Sequence, residues 1–143
     1  MTEADLRRRW QERFEKDGRG VLWRIPDSPP TLGPDGLRSS GTRPCDLVGV
    51  IASPDEDRGK ALACEIKLQK GGRSFSVDRH FRGRRHQLAE LAKFERAGGQ
   101  ALIVVGWIPV EKRRAVVFEV PASEIGALDH ASFLSEGWQR WQK

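Results

Sequence analysis

The chain of 143 residues has no tyrosine, one methionine and only two cysteines, Cys45 and Cys64. Two thiols cannot form the disulfide framework of small secreted proteins, and no spacing of Cys and His resembles a zinc site. No apolar run approaches the roughly 18–20 residues that cross a bilayer, and the first residues, MTEADLRRRW, lack the apolar core of a secretory signal. These absences predict a cytoplasmic protein with no membrane partner, and the length predicts a single domain over residues 1–143.

Acidic residues are fewer than basic ones: the chain has 20 Asp and Glu and 25 Lys and Arg, which gives a net charge of +5. The stretch 67–85 contains one acid, Asp78, and the basic residues Lys67, Lys70, Arg73, Arg79, Arg82, Arg84 and Arg85. A concentrated basic segment favours a polyanionic partner, above all nucleic acid. A solvated loop whose charges only maintain solubility is the alternative, and the sequence leaves it open.

The apolar patterns predict the order helix, strand, hairpin, helix, hairpin, helix. In the first helix, Leu6, Trp10 and Phe14 recur every four residues as one apolar stripe. The predicted helices cover 3–17, about 83–97 and about 131–142, with a short one from Pro121, and the predicted strands cover 21–25, 45–52, 61–68, 101–107 and 115–120. Residues 26–44, rich in Pro, Gly and Ser, are predicted to be a loop. This order predicts a mixed α/β fold, with helices packed against a sheet.

The strand predicted at 61–68 carries its charged residues on one face. Its alternation puts Glu65 and Lys67 on the same side, beside small residues, and apolar residues on the other side. Asp46, on the paired strand of the hairpin, can reach the same site. We expect Cys45 and Cys64, each one residue before an acid, to lie together on the opposite face as small buried hydrophobes.

Asp46, Glu65 and Lys67 together are typical of phosphodiester hydrolysis. Two carboxylates that converge repel each other unless a cation or a proton lies between them. Mg²⁺ commonly binds one or two carboxylates together with waters and the phosphate oxygens of a substrate. Lys67 could orient the attacking water or stabilise the negative charge that develops on phosphate. The alternative is a surface salt bridge between Glu65 and Lys67, with a turn or helix-cap role for Asp46.

The sequence Pro44-Cys45-Asp46, followed by Glu65-Ile66-Lys67, resembles the motif of the PD-(D/E)XK nuclease superfamily. The flanking segments GTRPCDLVGV, ACEIKLQKGG, RRHQLAELAKFERAGGQALIVVGW and VVFEVPASEI are similar, in this order, to the RecU-type Holliday-junction resolvases of bacteria and more distantly to archaeal junction resolvases. The resemblance spans roughly residues 40–125. It implies a restriction-endonuclease-like core, with a central mixed β-sheet flanked by helices, in one nuclease domain.

The activity that the resemblance implies is that of a homodimeric, Mg²⁺-dependent endonuclease acting in DNA recombination and repair. Such an enzyme makes paired symmetric nicks in a four-way DNA junction by attack of activated water on phosphodiesters, and Mn²⁺ can replace Mg²⁺. The alternatives that stay open are a restriction-type or repair-type nuclease of the same fold and a DNA-binding module without catalysis. The dimer surface could be the C-terminal helix or the strand with Phe118 and Val120, unless these residues fill the core.

Individual roles follow from the resemblance residue by residue. Asp46, Glu65 and the backbone carbonyl of Ile66 would bind the metal, and Lys67 would be the catalytic lysine. Gln87 stands where the family has its helix glutamine and would contact the site or the DNA backbone. The family also uses a glutamate on the first helix, for which the candidates are Glu3, Glu12 and Glu15. We expect Glu3, because it lies on the helix side of Leu6, although favourable charge at a helix N-terminus is its other interpretation.

The DNA-binding residues that we expect lie on both sides of the motif: Ser40, Thr42, Arg43, Lys70, Arg73, Arg79, Arg82, Arg84 and Arg85. The segment 26–44 is shorter than the family insertion that grips the junction centre, so the way in which a junction is held stays open. For His80 and His86, a phosphate contact or a structural role is favoured over a general base, because both lie in the basic segment.

Overall fold

The computed structural model describes residues 1–26, 30–34, 36–39, 43, 45–126 and 130–132. The helices are α1 (Glu3–Lys16), α2 (Val77–Phe81), α3 (Arg85–Arg96) and α4 (Ala122–Gly126), with a 3-10 turn at Asp55–Asp57. The strands are β1 (Gly20–Arg24), β2 (Pro30–Gly33), β3 (Gly36–Ser39), β4 (Leu47–Ile51), β5 (Ala61–Lys70), β6 (Ser74–Ser76), β7 (Gln100–Ile108), β8 (Val116–Pro121) and β9 (His130–Ser132). Within these ranges, no helix has the length and apolar character needed to cross a bilayer.

Five strands form the central sheet, in the order β1-β4-β5-β7-β8. Strands β5 and β7 pair in parallel, and the other neighbours pair antiparallel. A parallel pair needs a crossover connection, which α2 and α3 provide between β5 and β7. The predicted mixed α/β fold is confirmed, and a mixed sheet flanked by helices is consistent with a restriction-endonuclease-like core.

Helix α1 covers one face of the sheet through the predicted apolar stripe. Leu6, Trp10 and Phe14 are buried there in a cluster that also contains Leu62, Cys64 and Ile66 of β5. Gly106 of β7 allows the close approach, since a Cβ at this position would lie 2.6 Å from a methyl carbon of Leu6. The helix begins with a capping box, in which Thr2 and Asp5 bond each other's backbone N–H groups.

Helices α2, α3 and α4 cover the opposite face. Their buried side chains include Val77, Phe81, Leu91 and Ile125, which pack against apolar residues of β7 and β8. Phe118 and Val120 belong to this cluster and are almost fully buried, so within the described chain these two side chains fill the core and are not an exposed dimer surface.

Two predictions of secondary structure are wrong. Residues 26–44 contain the hairpin β2–β3, in which glycines face each other at the turn, Gly33 opposite Gly36. His130–Ser132, which overlaps the start of the helix predicted at about 131–142, pairs as β9 with β6 because pairing between distant segments overrides the local helical pattern. The remainder of that predicted helix lies outside the described residues.

The two cysteines do not share a face, contrary to the prediction. Cys64 is in the α1 cluster and Cys45 is in the opposite cluster, each as a buried free thiol. The physical reason is that β4 begins only at Leu47, after a bend at Asp46, so strand alternation does not extend back to Cys45. Burial raises the pKa of both thiols, to about 11 for Cys45, which keeps them protonated at neutral pH.

Candidate active site

The site begins where β5 extends beyond the end of its neighbour β4. Strand β4 pairs with β5 only as far as Leu47 opposite Cys64, whereas β7 pairs with β5 up to Lys70. On the α2–α3 side of this overhang, Glu65, Lys67 and Gln69 are successive inward positions, and each is at most 5% exposed. Buried polar groups are costly unless they are paired, so three in a row in one strand mark a specialised site.

Asp46 fills the gap that β4 leaves beside β5. Its Oδ2 accepts a hydrogen bond of 2.7 Å from the backbone N–H of Ile66, and its Oδ1 lies 2.8 Å from the guanidinium of Arg43. The carboxylate thereby takes the place of a strand carbonyl. Since the N–H and C=O of one strand residue point to the same side, the Ile66 carbonyl also points into this gap.

Glu65 is buried beside Asp46 and incompletely paired. Its Oε1 lies 3.4 Å from Lys67 Nζ, and its Oε2 has no hydrogen-bond partner among the described residues. Loss of solvation, together with the negative charge of Asp46, raises the pKa of Glu65 to about 8, although the positive charge of Lys67 acts in the opposite direction. Glu65 therefore holds a proton at neutral pH unless a positive charge is added next to it.

These two acids, called the acid pair below, fit a hard divalent cation. The orphaned oxygen of Glu65, the adjacent Asp46 carboxylate and the Ile66 carbonyl are oxygen donors of the kind that Mg²⁺ prefers. No group of three His, Cys, Asp or Glu side chains suited to a metal occurs in the part of the chain that the structure describes. Such an ion would therefore complete its coordination with waters and substrate oxygens, as Mg²⁺ commonly does.

Lys67 is held at the site by three neighbours from different elements. Its Nζ lies 3.4 Å from Glu65, 3.5 Å from Oε1 of Gln87 on α3, and 4.7 Å from the ring centre of Phe81 on α2. Gln87 is itself buried. The structure thus brings together Asp46, Glu65, Lys67 and Gln87.

Glu3 lies within the electrostatic field of this site. Its side chain is exposed at the start of α1, yet partial loss of solvation raises its pKa, and the negative charge of Asp46 adds to the rise. The positive charge of Lys67 acts in the opposite direction. The other candidates make different contacts: Glu12 faces Arg8, and Glu15 accepts a hydrogen bond from the backbone of β1. Glu3 is therefore the α1 glutamate that fits the site best, because Asp46 and Lys67 both influence its pKa.

Two of the basic residues predicted to bind DNA are related to the site by a contact or by charge, and the others are known to be exposed. Arg43 is a quarter exposed and ion-paired with Asp46, and Arg84 is close enough to Glu3 to influence its pKa. Six of the predicted basic residues are exposed, from the end of β5 to the start of α3: Lys70, Arg73, Arg79, Arg82, Arg84 and Arg85. Arg85 also lies 3.1 Å from Asp78. Ser40 and Thr42 lie outside the described residues.

Gln69 and His80 form a contact that sequence reasoning missed. The Nε2 of His80 lies 2.6 Å from Oε1 of Gln69, and the imidazole stacks on Phe75 with ring centres 4.4 Å apart. Loss of solvation lowers the pKa of His80 to about 4, and the positive charge of Lys67 contributes, so the ring is neutral at physiological pH. Continuing the alternation of β5 one step beyond Lys67 would have placed Gln69 on the site face.

Comparison with known proteins shows that the chain resembles a solved structure in its fold. No family model matches the chain, and no curated protein matches it. Among solved structures, it is similar to Hjc, a Holliday junction resolvase of the archaeal hyperthermophile Archaeoglobus fulgidus, at 20% sequence identity and a TM-score of 0.40. The match covers 79% of this chain and 73% of that one. The likeness concerns the fold alone.

Proposed function

We propose that the chain is a divalent-metal-dependent DNA endonuclease that cleaves branched DNA, as a Holliday-junction resolvase does. The observation that carries this proposal is the acid pair at the open edge of β5, with one buried Glu65 oxygen lacking a partner among the described residues and with Lys67 alongside. If Glu65 and Lys67 formed only a structural salt bridge, the buried Asp46 carboxylate beside them would have no role, because its negative charge raises the cost of ionising Glu65.

Each member of the site has a distinct task in this proposal. Asp46, Glu65 and the Ile66 carbonyl would hold Mg²⁺, or Mn²⁺ in its place. The bound ion would lower the pKa of a water molecule and offset charge on the scissile phosphate. Lys67, fixed by Gln87 and Phe81, directs its ammonium group at the charge that develops on the phosphate oxygens.

Glu3 and Arg43 would act at the mouth of the site. Glu3 could accept a hydrogen bond from the attacking water or from a water between it and the acid pair, because Asp46 and Lys67 are both close enough to influence its pKa. The guanidinium of Arg43 is paired with Asp46. When a cation takes its place beside this carboxylate, Arg43 can bind a DNA phosphate instead.

Substrate recognition would depend on the phosphate backbone. The exposed arginines after β5 suit phosphate contacts, which position DNA without reading its sequence. We therefore propose selection by DNA shape, with affinity that falls steeply as salt rises. A four-way junction has two-fold symmetry, so paired symmetric nicks need two sites, and we propose that the active form is a homodimer.

The test is cleavage of synthetic four-way junctions, flaps and linear duplexes, with Mg²⁺, with Mn²⁺ and with EDTA. We expect symmetric nicks near the junction centre that require the metal. Asp46→Asn and Glu65→Gln should abolish cleavage while junction binding is retained, and the exposed Glu12→Gln serves as the matched control.

Other outcomes would point elsewhere. Equal cutting of linear duplex would indicate a restriction-type or repair-type nuclease, and binding without any cutting would indicate a non-catalytic module. If both variants failed to fold, the acid pair would be structural and the proposal would be wrong.

A further inference from the structure

A cavity of about 690 Å³ lies between α1 and β8, and its described lining includes no member of the acid pair and no other residue that we assign to cleavage. It is on the face of the sheet that α1 covers, whereas Glu65 and Lys67 face α2 and α3. One part of its wall is apolar and is formed by Leu6, Trp10, Phe14 and Val117 among others. A volume in this range and an apolar wall are typical of ligand pockets.

Four exposed arginines surround the opening and are called the arginine rim: Arg9 and Arg13 from α1, and Arg113 and Arg114 from the β7–β8 connection. Two acids also line the cavity. Asp17 lies 3.4 Å from Arg13. Glu119 is buried and receives hydrogen bonds of 2.8 and 2.7 Å from Arg19 and of 3.1 Å from the Trp10 indole. Since Arg19 offsets Glu119, the opening keeps a positive charge.

We propose that this cavity binds an acidic peptide segment of a partner protein, with an apolar side chain inserted between α1 and β8 and with carboxylates on the arginine rim. Arginine clusters recognise acidic motifs through paired N–H donors, and an apolar anchor gains by leaving water. This binding site is separate from the proposed nuclease site and does not depend on it.

Other occupants fit less well on charge and shape. A DNA backbone would place phosphates on the arginine rim but would leave the apolar wall unused. The C-terminal residues 133–143, FLSEGWQRWQK, contain one acid, Glu136, against Arg140 and Lys143, so they would add positive charge to a positive rim. A second copy of the chain is also basic overall, with a net charge of +5.

The test uses the full-length chain and fluorescence anisotropy of a labelled hexapeptide, Asp-Glu-Asp-Asp-Leu-Phe. We expect saturable binding. Arg113→Glu/Arg114→Glu should weaken it about tenfold, because two exposed charge pairs become repulsive. Ala115→Trp should prevent binding by filling the cavity. The matched control is Lys93→Glu/Arg96→Glu, which reverses two exposed charges on α3 and should bind like the parent chain.

Several results would overturn the proposal. These are the absence of saturable binding to the parent chain, equal affinity for a peptide with Ser-Gly in place of Leu-Phe, and equal weakening by the α3 control. Displacement of the peptide by a short DNA duplex, with the same loss of duplex affinity in the Arg113/Arg114 variant, would assign the surface to DNA instead. Thermal melting of every variant checks that each one is folded.

Discussion

Glu65 should make the metal-free protein less stable as pH rises, and replacing it by glutamine should remove that effect. The pKa of Glu65 in the folded chain is about 8, against an ordinary value of 4.5, because burial and Asp46 both oppose its negative charge. A carboxyl group with a raised pKa binds its proton more tightly in the folded state than in the unfolded state. Its contribution is therefore fully present below about pH 4.5 and is lost as pH rises through about 8.

The size of the effect follows from the two pKa values. One pKa unit corresponds to about 1.4 kcal/mol, so the interval from 4.5 to about 8 amounts to about 5 kcal/mol of unfolding free energy. Glu65→Gln keeps the shape of the side chain but cannot ionise. We expect the variant to match the parent chain at mildly acid pH and to exceed its stability by several kcal/mol at about pH 8 in EDTA.

The assay is urea unfolding of both chains in EDTA, followed by tryptophan fluorescence, between about pH 5 and about pH 8. The difference between the two curves isolates Glu65. His80 changes the stability of both chains in the opposite direction to Glu65. Its lowered pKa gives stability that is lost as pH falls below its ordinary value of 6.5 toward about 4. Saturating Mg²⁺ at the upper pH should stabilise the parent chain and not the variant. A difference that stays constant with pH would refute the reasoning, since Glu65 would then titrate normally.

Three further outcomes are expected. Glu119→Ala should lower the unfolding free energy by about 3 kcal/mol or more in urea titrations, because a largely buried ion pair loses one partner, whereas the exposed Glu12→Ala should cost less than about 1 kcal/mol. Glu3→Gln should slow metal-dependent DNA cleavage about 10–100-fold without loss of melting temperature, and equal rates for Glu3→Gln and Glu12→Gln would remove Glu3 from the site. Phe81→Ala should cost about 3–5 kcal/mol in the same titrations, because this fully buried ring packs in the core and under Lys67; a loss below about 1 kcal/mol would contradict its place there.

Predictions from local periodicity were correct where one face of an element is buried. The four-residue stripe of α1 and the two-residue alternation of β5 are repeats that the backbone itself imposes. For that reason the sequence could place Glu65 and Lys67 on one side and Ile66 on the other. The antiparallel pairing of β7 with β8, predicted from the turn PVEKRR between two apolar strands, is confirmed.

Predictions that extended a local rule beyond an element's real end were wrong. Cys45 was assigned a face by alternation, but the chain bends at Asp46 before β4 begins. Ala131 and Ser132 were assigned to a helix, but they pair with β6 as part of a strand. Both outcomes depend on neighbours that are distant in sequence, which a reading of adjacent residues does not include.

The sequence by itself determined that Glu65 and Lys67 share one side of β5, because strand alternation fixes the face of each residue. Only the tertiary structure decided that Asp46 bonds the backbone of Ile66, that Gln87 and Phe81 hold Lys67, and that one oxygen of Glu65 is buried without a partner among the described residues. The physical reason is that solvation and pairing depend on the early end of β4 beside β5 and on the packing of α2 and α3 over it. Those relations join segments that are far apart along the chain.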